Sequence, residues 1–110
     1  MFTYHLSILT PQGEIFNGRV ASLTARGQLG EFSVLANHAP MAVALSKGVI
    51  RILVNIGEKE ALFAHETGVL EVRSSHDVLV LVDHAFPVED IKEGKEKLSA
   101  LADTQKSLAG

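Results

Sequence analysis

Five histidines, His5, His38, His65, His76 and His84, have the widest chemical range of any residues in this 110-residue chain. A zinc-type site needs ligands converging from one helix face or from a Cys/His cluster. No pair here has His-Glu-x-x-His spacing, the chain has no cysteine, and the five scatter over different predicted strands and turns. A metal site is not expected. Nucleophilic catalysis has as little support. No serine sits in Gly-x-Ser-x-Gly, and Ser33 lies between Phe32 and Val34 in a predicted strand rather than on a strand-to-helix elbow. Gly27-Gln28-Leu29-Gly30 leads into a strand instead of a helix N-terminus, and no Gly-Lys-Ser/Thr follows it, so a phosphate-cradling loop is not indicated. The carboxylate pairs Glu58/Glu60 and Glu89/Asp90 fall at a turn and at a helix start, where solvation or the helix dipole accounts for them. These residues point to a noncatalytic protein without a cofactor.

Composition narrows the partners. Ten basic against 13 acidic residues give a net charge of -3 with no basic run, which argues against nucleic acid as a partner. The absence of cysteine excludes a disulfide framework and fits a reducing compartment. The start, Met1-Phe2-Thr3-Tyr4-His5, has no secretory-signal pattern. No apolar run approaches the ~20 residues that span a bilayer, so direct membrane insertion is not expected. The hydrophobic fraction of 46% is largely aliphatic and sufficient for one core.

The elements that would position these residues are short strands. Thr3–Leu9 alternates, Thr10-Pro11-Gln12-Gly13 suits a type I turn, and Glu14–Phe16 returns. Asn17-Gly18 reads equally as a hairpin turn, a bulge or a corner before Arg19–Arg26. Met41–Leu45 is short and apolar. In Val49–Ile56 the pattern turns Ile50, Ile52, Val54 and Ile56 inward. Glu60–Glu66 and Gly68–Arg73 follow, then a turn at Ser74–Asp77. Val78-Leu79-Val80-Leu81-Val82 is apolar throughout, as in a strand covered on both faces. The expected fold is mainly β, an antiparallel β-sandwich of about ten strands over residues 1–86. Residues 87–110 form a C-terminal helical segment. There Ile91, Leu98, Leu101 and Leu108 make a narrow seam for a helix over Val88–Leu108, Glu89 and Asp90 lie in its first turn, and Lys106 in its last. Such a seam leans on the sandwich or on a partner helix.

The stretch with the most information is Gly30-Glu31-Phe32-Ser33-Val34-Leu35-Ala36-Asn37-His38-Ala39-Pro40. It is a half-buried strand that Pro40 turns out into a shaped loop. By itself His38 reads as a packed loop residue sooner than as a base. The stretch resembles the Gly-Glu-Phe/Leu-x-Ile/Val-Leu/Tyr-x-x-His-Ala-Pro signature of the epsilon subunit of bacterial F-type ATP synthases. Tyr4-His5-Leu6 with Phe16-Asn17-Gly18, Lys47-Gly48-Val49-Ile50-Arg51-Ile52 and Gly68-Val69-Leu70-Glu71-Val72 are similar to further segments of that family, in order, with Thr67 in place of a glycine. Ser33 and Ala36 depart from the commoner Gly and Pro.

The resemblance implies a noncatalytic central-stalk subunit that links the gamma subunit to the c-ring and couples proton or sodium translocation to ATP synthesis. It would sit peripherally on the cytoplasmic side of the cell inner (plasma) membrane. By the same resemblance Glu31, Phe32 and Ser33 would face the c-ring, and His38, Ala39, Pro40, Met41 and Val43 the gamma subunit. The C-terminal helix would be a possible contact for the alpha/beta catalytic head, and a modulator of ATP hydrolysis. The alternatives are a freestanding β-sandwich that binds a small ligand and, more remotely, a small hydrolase or isomerase using His38.

Family members that sense ATP carry Ile/Leu-Asp-x-x-Arg-Ala at the first tail helix. Here Ile91-Lys92-Glu93-Gly94-Lys95-Glu96 stands there, with Lys92 for the acid and Lys95 for the arginine. A lysine does not reproduce a bidentate guanidinium contact. The tail has length for one helix where many members have two. ATP-selective binding is therefore not expected, and inhibition by helix extension is expected to be weak. Calorimetry should show no preference for ATP over other nucleotides, and truncation of residues 88–110 should leave ATP hydrolysis by the assembled enzyme nearly unchanged. Sub-millimolar ATP-selective binding, or a severalfold rise in hydrolysis, would contradict these two expectations.

Overall fold

A computed structural model describes the backbone of residues 2–74 and 76–109, and the side chains of these residues up to 101. Ten strands and one helix follow in chain order: β1 (Tyr4–Thr10), β2 (Gly13–Val20), β3 (Ser22–Gly27), β4 (Gly30–Leu35), β5 (Met41–Leu45), β6 (Gly48–Leu53), β7 (Ala61–His65), β8 (Gly68–Ser74), β9 (Asp77–Val82), β10 (Ala85–Val88) and α1 (Ile91–Ala109). Pairing divides them into two five-stranded layers. One runs β10-β7-β6-β3-β4 and the other β5-β8-β9-β1-β2, joined at a corner by the single pairing of Gly27 with Leu45. The sheet is mixed, because β1 lies parallel to β9 while its other pairings are antiparallel. The long chain between these two strands supplies the crossover that a parallel pair requires.

Inward-facing residues of both layers meet in one core. Leu6, Ile8, Leu70 and Val80 from one layer pack with Leu23, Ile50, Ile52 and Phe63 from the other. The Tyr4 hydroxyl donates to the Val34 carbonyl at 2.8 Å, and the Phe16 ring meets Phe63 edge-on at 5.9 Å, so β1 and β2 are stitched across to the facing layer. Burial pushes the Tyr4 phenol well above its usual range.

Several expected boundaries move, each for a local reason. Asn17-Gly18 lies inside β2, and the bulge sits at Ile8/Leu9, opposite the extra residue Ile15. β6 stops at Leu53, because Asn55 and Glu58 close a turn through both backbone and side chains. Ile56 is therefore 73% exposed and does not join Ile50 and Ile52 inside. β10 runs through Pro87 to Val88. An edge strand tolerates a proline because it has an unpaired side, and β10 is such an edge.

The helix begins at Ile91. Asp90 caps it by accepting the Glu93 amide at 2.7 Å, while the Glu93 carboxylate accepts the Glu89 amide at 2.9 Å. Lys97 at 2.8 Å, and then the Glu89 amide, hold the Glu93 carboxyl below its usual range. α1 folds back on β6, β7 and β10. Leu98 is buried, and Gly94 is the point of closest approach: a Cβ there would lie 2.6 Å from Val49 Cγ2. Ile91 is 41% exposed at the edge of this contact, and the Leu108 and Lys106 side chains lie outside the described residues. Gly68 is the other close approach, since a Cβ would run into the Leu81 carbonyl.

His65 is the buried polar side chain among the described residues. Its Nδ1–H donates to the Glu66 carbonyl at 2.8 Å, while Nε2 is buried without a partner. Desolvation lowers its pKa, outweighing the nearby Glu66 groups that raise it. The unfolded chain takes up this proton near the ordinary value of about 6.5, whereas the folded chain resists it. The contribution is therefore fully present above pH ~6.5 and is lost as pH falls towards the depressed folded value. Urea unfolding at pH 7 and pH 5 should show the wild-type chain losing up to ~1.4 kcal/mol more per pH unit than His65→Gln over this window. Equal slopes would mean that His65 is not held neutral.

Candidate functional site

The β3–β4 hairpin and the loop after β4 carry most of the residues singled out in the sequence. β4 alternates as expected. Phe32 packs against the core and Val34 is fully buried, while Glu31 and Ser33 face outward. Glu31 accepts from Arg51 Nη2 at 3.0 Å, and Ser33 shares a 2.9 Å hydrogen bond with Thr24 across the pair. At the hairpin tip Leu29 is fully exposed, and Leu35 at the far end of β4 is 60% exposed. Neither leucine was expected to matter. The glycines near Leu29 were the available signal, since they place it on a turn with no neighbour to cover it.

The chain leaves β4 through Asn37, which has a positive φ of 67°. Asparagine is among the few side chains that adopt this conformation readily. His38 Nδ1 lies 2.7 Å from the Ala39 carbonyl, and because a carbonyl only accepts, this nitrogen carries the proton. His38 is half-buried, and its bond closes the loop on itself. Ala39 and Pro40 are exposed and lead directly into β5.

Within β5, Met41 packs against the core and Val43 lies against Gly27, so the apolar anchors expected at these two positions are turned inward. Ala42 and Ala44 are the outward positions of the strand. Ala44 begins a row that the register carries across the layer: Ala44 pairs with Val69, Val69 with Leu81, and Leu81 with Leu9. Val69 and Leu81 are 42% and 45% exposed. The apolar run of β9 thus has its inner residues Val78, Val80 and Val82 covered, while on the other face Leu79 is buried and Leu81 is half-exposed. A shallow depression of about 550 Å³ lies at the end of this row, lined in part by Leu9, Pro11, Thr67 and Leu81.

The remaining histidines are dispersed. His5 reaches Asn17 Oδ1 at 2.6 Å and Asp77 at 3.5 Å, and Asn17 in turn donates to Glu14 at 2.9 Å. This exposed chain of contacts ties β9, β1 and β2 together. Among the described residues no three of His, Asp and Glu are grouped as a metal site, and no described helix is long and apolar enough to cross a membrane. Of the tail positions compared with the ATP motif, Ile91 and Lys95 border a groove beside α1, and Lys92 is exposed.

Residues 3–88 match the family described as ATP synthase, Delta/Epsilon chain, beta-sandwich domain. Among solved structures, the fold is similar to a chain of the Euglena gracilis mitochondrial ATP synthase, in a structure of OSCP/F1/c-ring in rotational state 1. The TM-score is 0.75 at 24% identity, with 96% of this chain and 64% of that chain covered, so this chain spans less than two thirds of that relative. It is also similar to a chain in the central stalk/c-ring structure of the Tetrahymena thermophila mitochondrial ATP synthase, with a TM-score of 0.65, 15% identity and coverage of 92% and 90%. At these identities the likeness is one of fold. With 3–88 matched out of 110 residues, the chain belongs to the ATP synthase delta/epsilon chain family.

Proposed function

We propose that this protein is the epsilon-type subunit of an F-type ATP synthase, a noncatalytic element of the central stalk that joins the gamma subunit to the c-ring. One observation carries the reading. The layer β5-β8-β9-β1-β2 presents the apolar row Ala44–Val69–Leu81–Leu9 on its outer face, where Val69 and Leu81 stay close to half exposed. An apolar surface of this kind is a partner surface. The His38-Ala39-Pro40 loop adjoins it through β5, so loop and row together form the gamma-facing side. Met41 and Val43 support that side from within, and Ala42 and Ala44 make the contact.

The Glu31 end of the β3–β4 hairpin, with Leu29 at its tip, is the ring-facing edge. Phe32 anchors the hairpin to the core, and Ser33 holds β4 to β3, so the edge is presented on a rigid support. The work of the subunit is mechanical: it couples ion translocation to ATP synthesis by holding shaft and ring together. Its place is peripheral, on the cytoplasmic face of the membrane that holds the ring. The similar chains in ATP synthase structures support this reading at the level of fold.

Leu81 is half-exposed, so Leu81→Glu leaves the folded chain nearly as stable as before. In an interface core the same carboxylate would be desolvated at a cost of several kcal/mol. Reconstitution with the gamma subunit should therefore weaken by at least about tenfold in Leu81→Glu, while the thermal midpoint of the isolated chain stays within a few degrees of wild type. Undiminished assembly of the variant would overturn the assignment of this face.

A further inference from the structure

Register sets four strand ends in line at the end of the sandwich that bears the β3–β4 hairpin tip. Gly27 pairs with Leu45, Leu45 with Gly68, and Gly68 with Val82. The β1–β2, β7–β8 and β9–β10 turns therefore open on the same end as the tip, and three strand spacings put the last of them roughly 15 Å from it. Between these turns lies a polar recess of about 410 Å³, lined by Pro11, Gln12, Glu66, Thr67, Asp83 and His84. The Glu66 amide donates to the His84 carbonyl at 3.1 Å, which holds two of the turns together. Pro11, Thr67 and Asp83 also border the depression beside Leu9 and Leu81, so the recess adjoins the end of the apolar row. Its two carboxylates have no counter-ion: among the described residues neither Glu66 nor Asp83 forms an ion pair. Asp83 is exposed and Glu66 half-buried, with Glu66 Oε1 buried and without a donor.

We propose that this recess receives a cationic side chain, lysine or arginine, from a loop of the c-ring, as a second attachment point beside the hairpin tip. The proposal rests on the stalk reading and adds to it where the ring is gripped and by what charge. A buried acceptor left unpaired is costly, more so on a carboxylate, and an entering N–H donor removes that cost. Two carboxylates beside one recess favour a cation over a neutral donor, since hydrogen bonds between charged groups are the stronger ones. The ring is the source because the recess shares its end of the sandwich with Leu29 and Glu31. The His38-Ala39-Pro40 loop, assigned to the gamma subunit, leaves β4 at the opposite end. Two grips about 15 Å apart on a rigid sandwich resist rotation of the subunit on the ring, which a single hairpin contact does not.

The test has two arms, both in the assembled ATP synthase. In the first, Gln12→Cys, Leu29→Cys and Ile56→Cys each carry a benzophenone maleimide and are irradiated. Positions 12 and 29 should both give adducts with the ring subunit, and position 56, at the opposite end, should not. In the second, binding of the catalytic head with its stalk to ring-containing membranes is measured for Glu66→Gln, Asp83→Asn and, as a control at the opposite end, Glu60→Gln. The first two should each weaken binding about three- to tenfold at low salt and less at high salt, and Glu60→Gln should not. A ring adduct from position 29 with none from 12, or an adduct from 12 on the gamma subunit alone, would overturn the proposal and leave the stalk reading standing. Undiminished binding of both Glu66→Gln and Asp83→Asn would do the same. Absence of a ring adduct from both 12 and 29 would overturn the proposal and the stalk reading together.

Discussion

The layer β5-β8-β9-β1-β2 carries apolar side chains on both faces; the chain covers the inner one fully, and on the outer one it buries Leu79 but leaves Val69 and Leu81 close to half exposed. The opposite layer has its own answer to the same problem, because α1 lies over β6, β7 and β10 with Gly94 and Leu98 at the contact. This asymmetry governs how the molecule can be used. One outer face is partly covered by the protein's own helix, and the other keeps Val69 and Leu81 close to half exposed, as the proposed partner surface. A hydrophobic surface that stays exposed in the folded chain gains its stabilisation on assembly, in proportion to the area removed from water.

What lies between the two faces suits a component that transmits force. The core is aliphatic and close-packed, and a hydrogen bond from Tyr4 to Val34 and an aromatic contact from Phe16 to Phe63 cross between the layers. Such interiors deform little under load. The hairpin and loop at the edge are fixed by the inward packing of Phe32 and Met41, by the Thr24–Ser33 bond, and by the self-closure of the His38 loop. The polar groups there shape a surface, and the Nδ1–H of His38 is spent on the Ala39 carbonyl beside it.

Much of this was legible in the sequence. The alternation in Glu31–Val34, the turn before Gly13 and the apolar run of Val78–Val82 all lie where their patterns place them. The motif from Gly30 to Pro40 pointed to the family, and the match over residues 3–88 bears that out. Local pattern was least informative where tertiary context decides. Periodicity continued to Ile56, but the Asn55–Glu58 turn ends the strand first; Val54 still packs against the core and Ile56 does not. Pro87 lies just past the expected end of the sandwich at residue 86, yet it is inside β10, where an edge position accommodates it. Met41 and Val43 are apolar and near the loop, but only the register of β5 reveals that they point inward. The run of β9 was the most instructive: its sequence indicates cover on both faces, and on the outer face Leu79 is buried while Leu81 stays close to half exposed, on the surface proposed to meet a partner.

The chain has no cysteine, so a single introduced thiol reports on one position without background. The most direct measurement is the maleimide reactivity of Leu81→Cys in the isolated chain and in the assembled ATP synthase, with Ile56→Cys as an exposed reference. The account predicts that the thiol at position 81 reacts readily in the free chain and is protected by at least about a hundredfold on assembly, while position 56 reacts equally in both. Equal reactivity of position 81 in the two states would show that this face meets no partner.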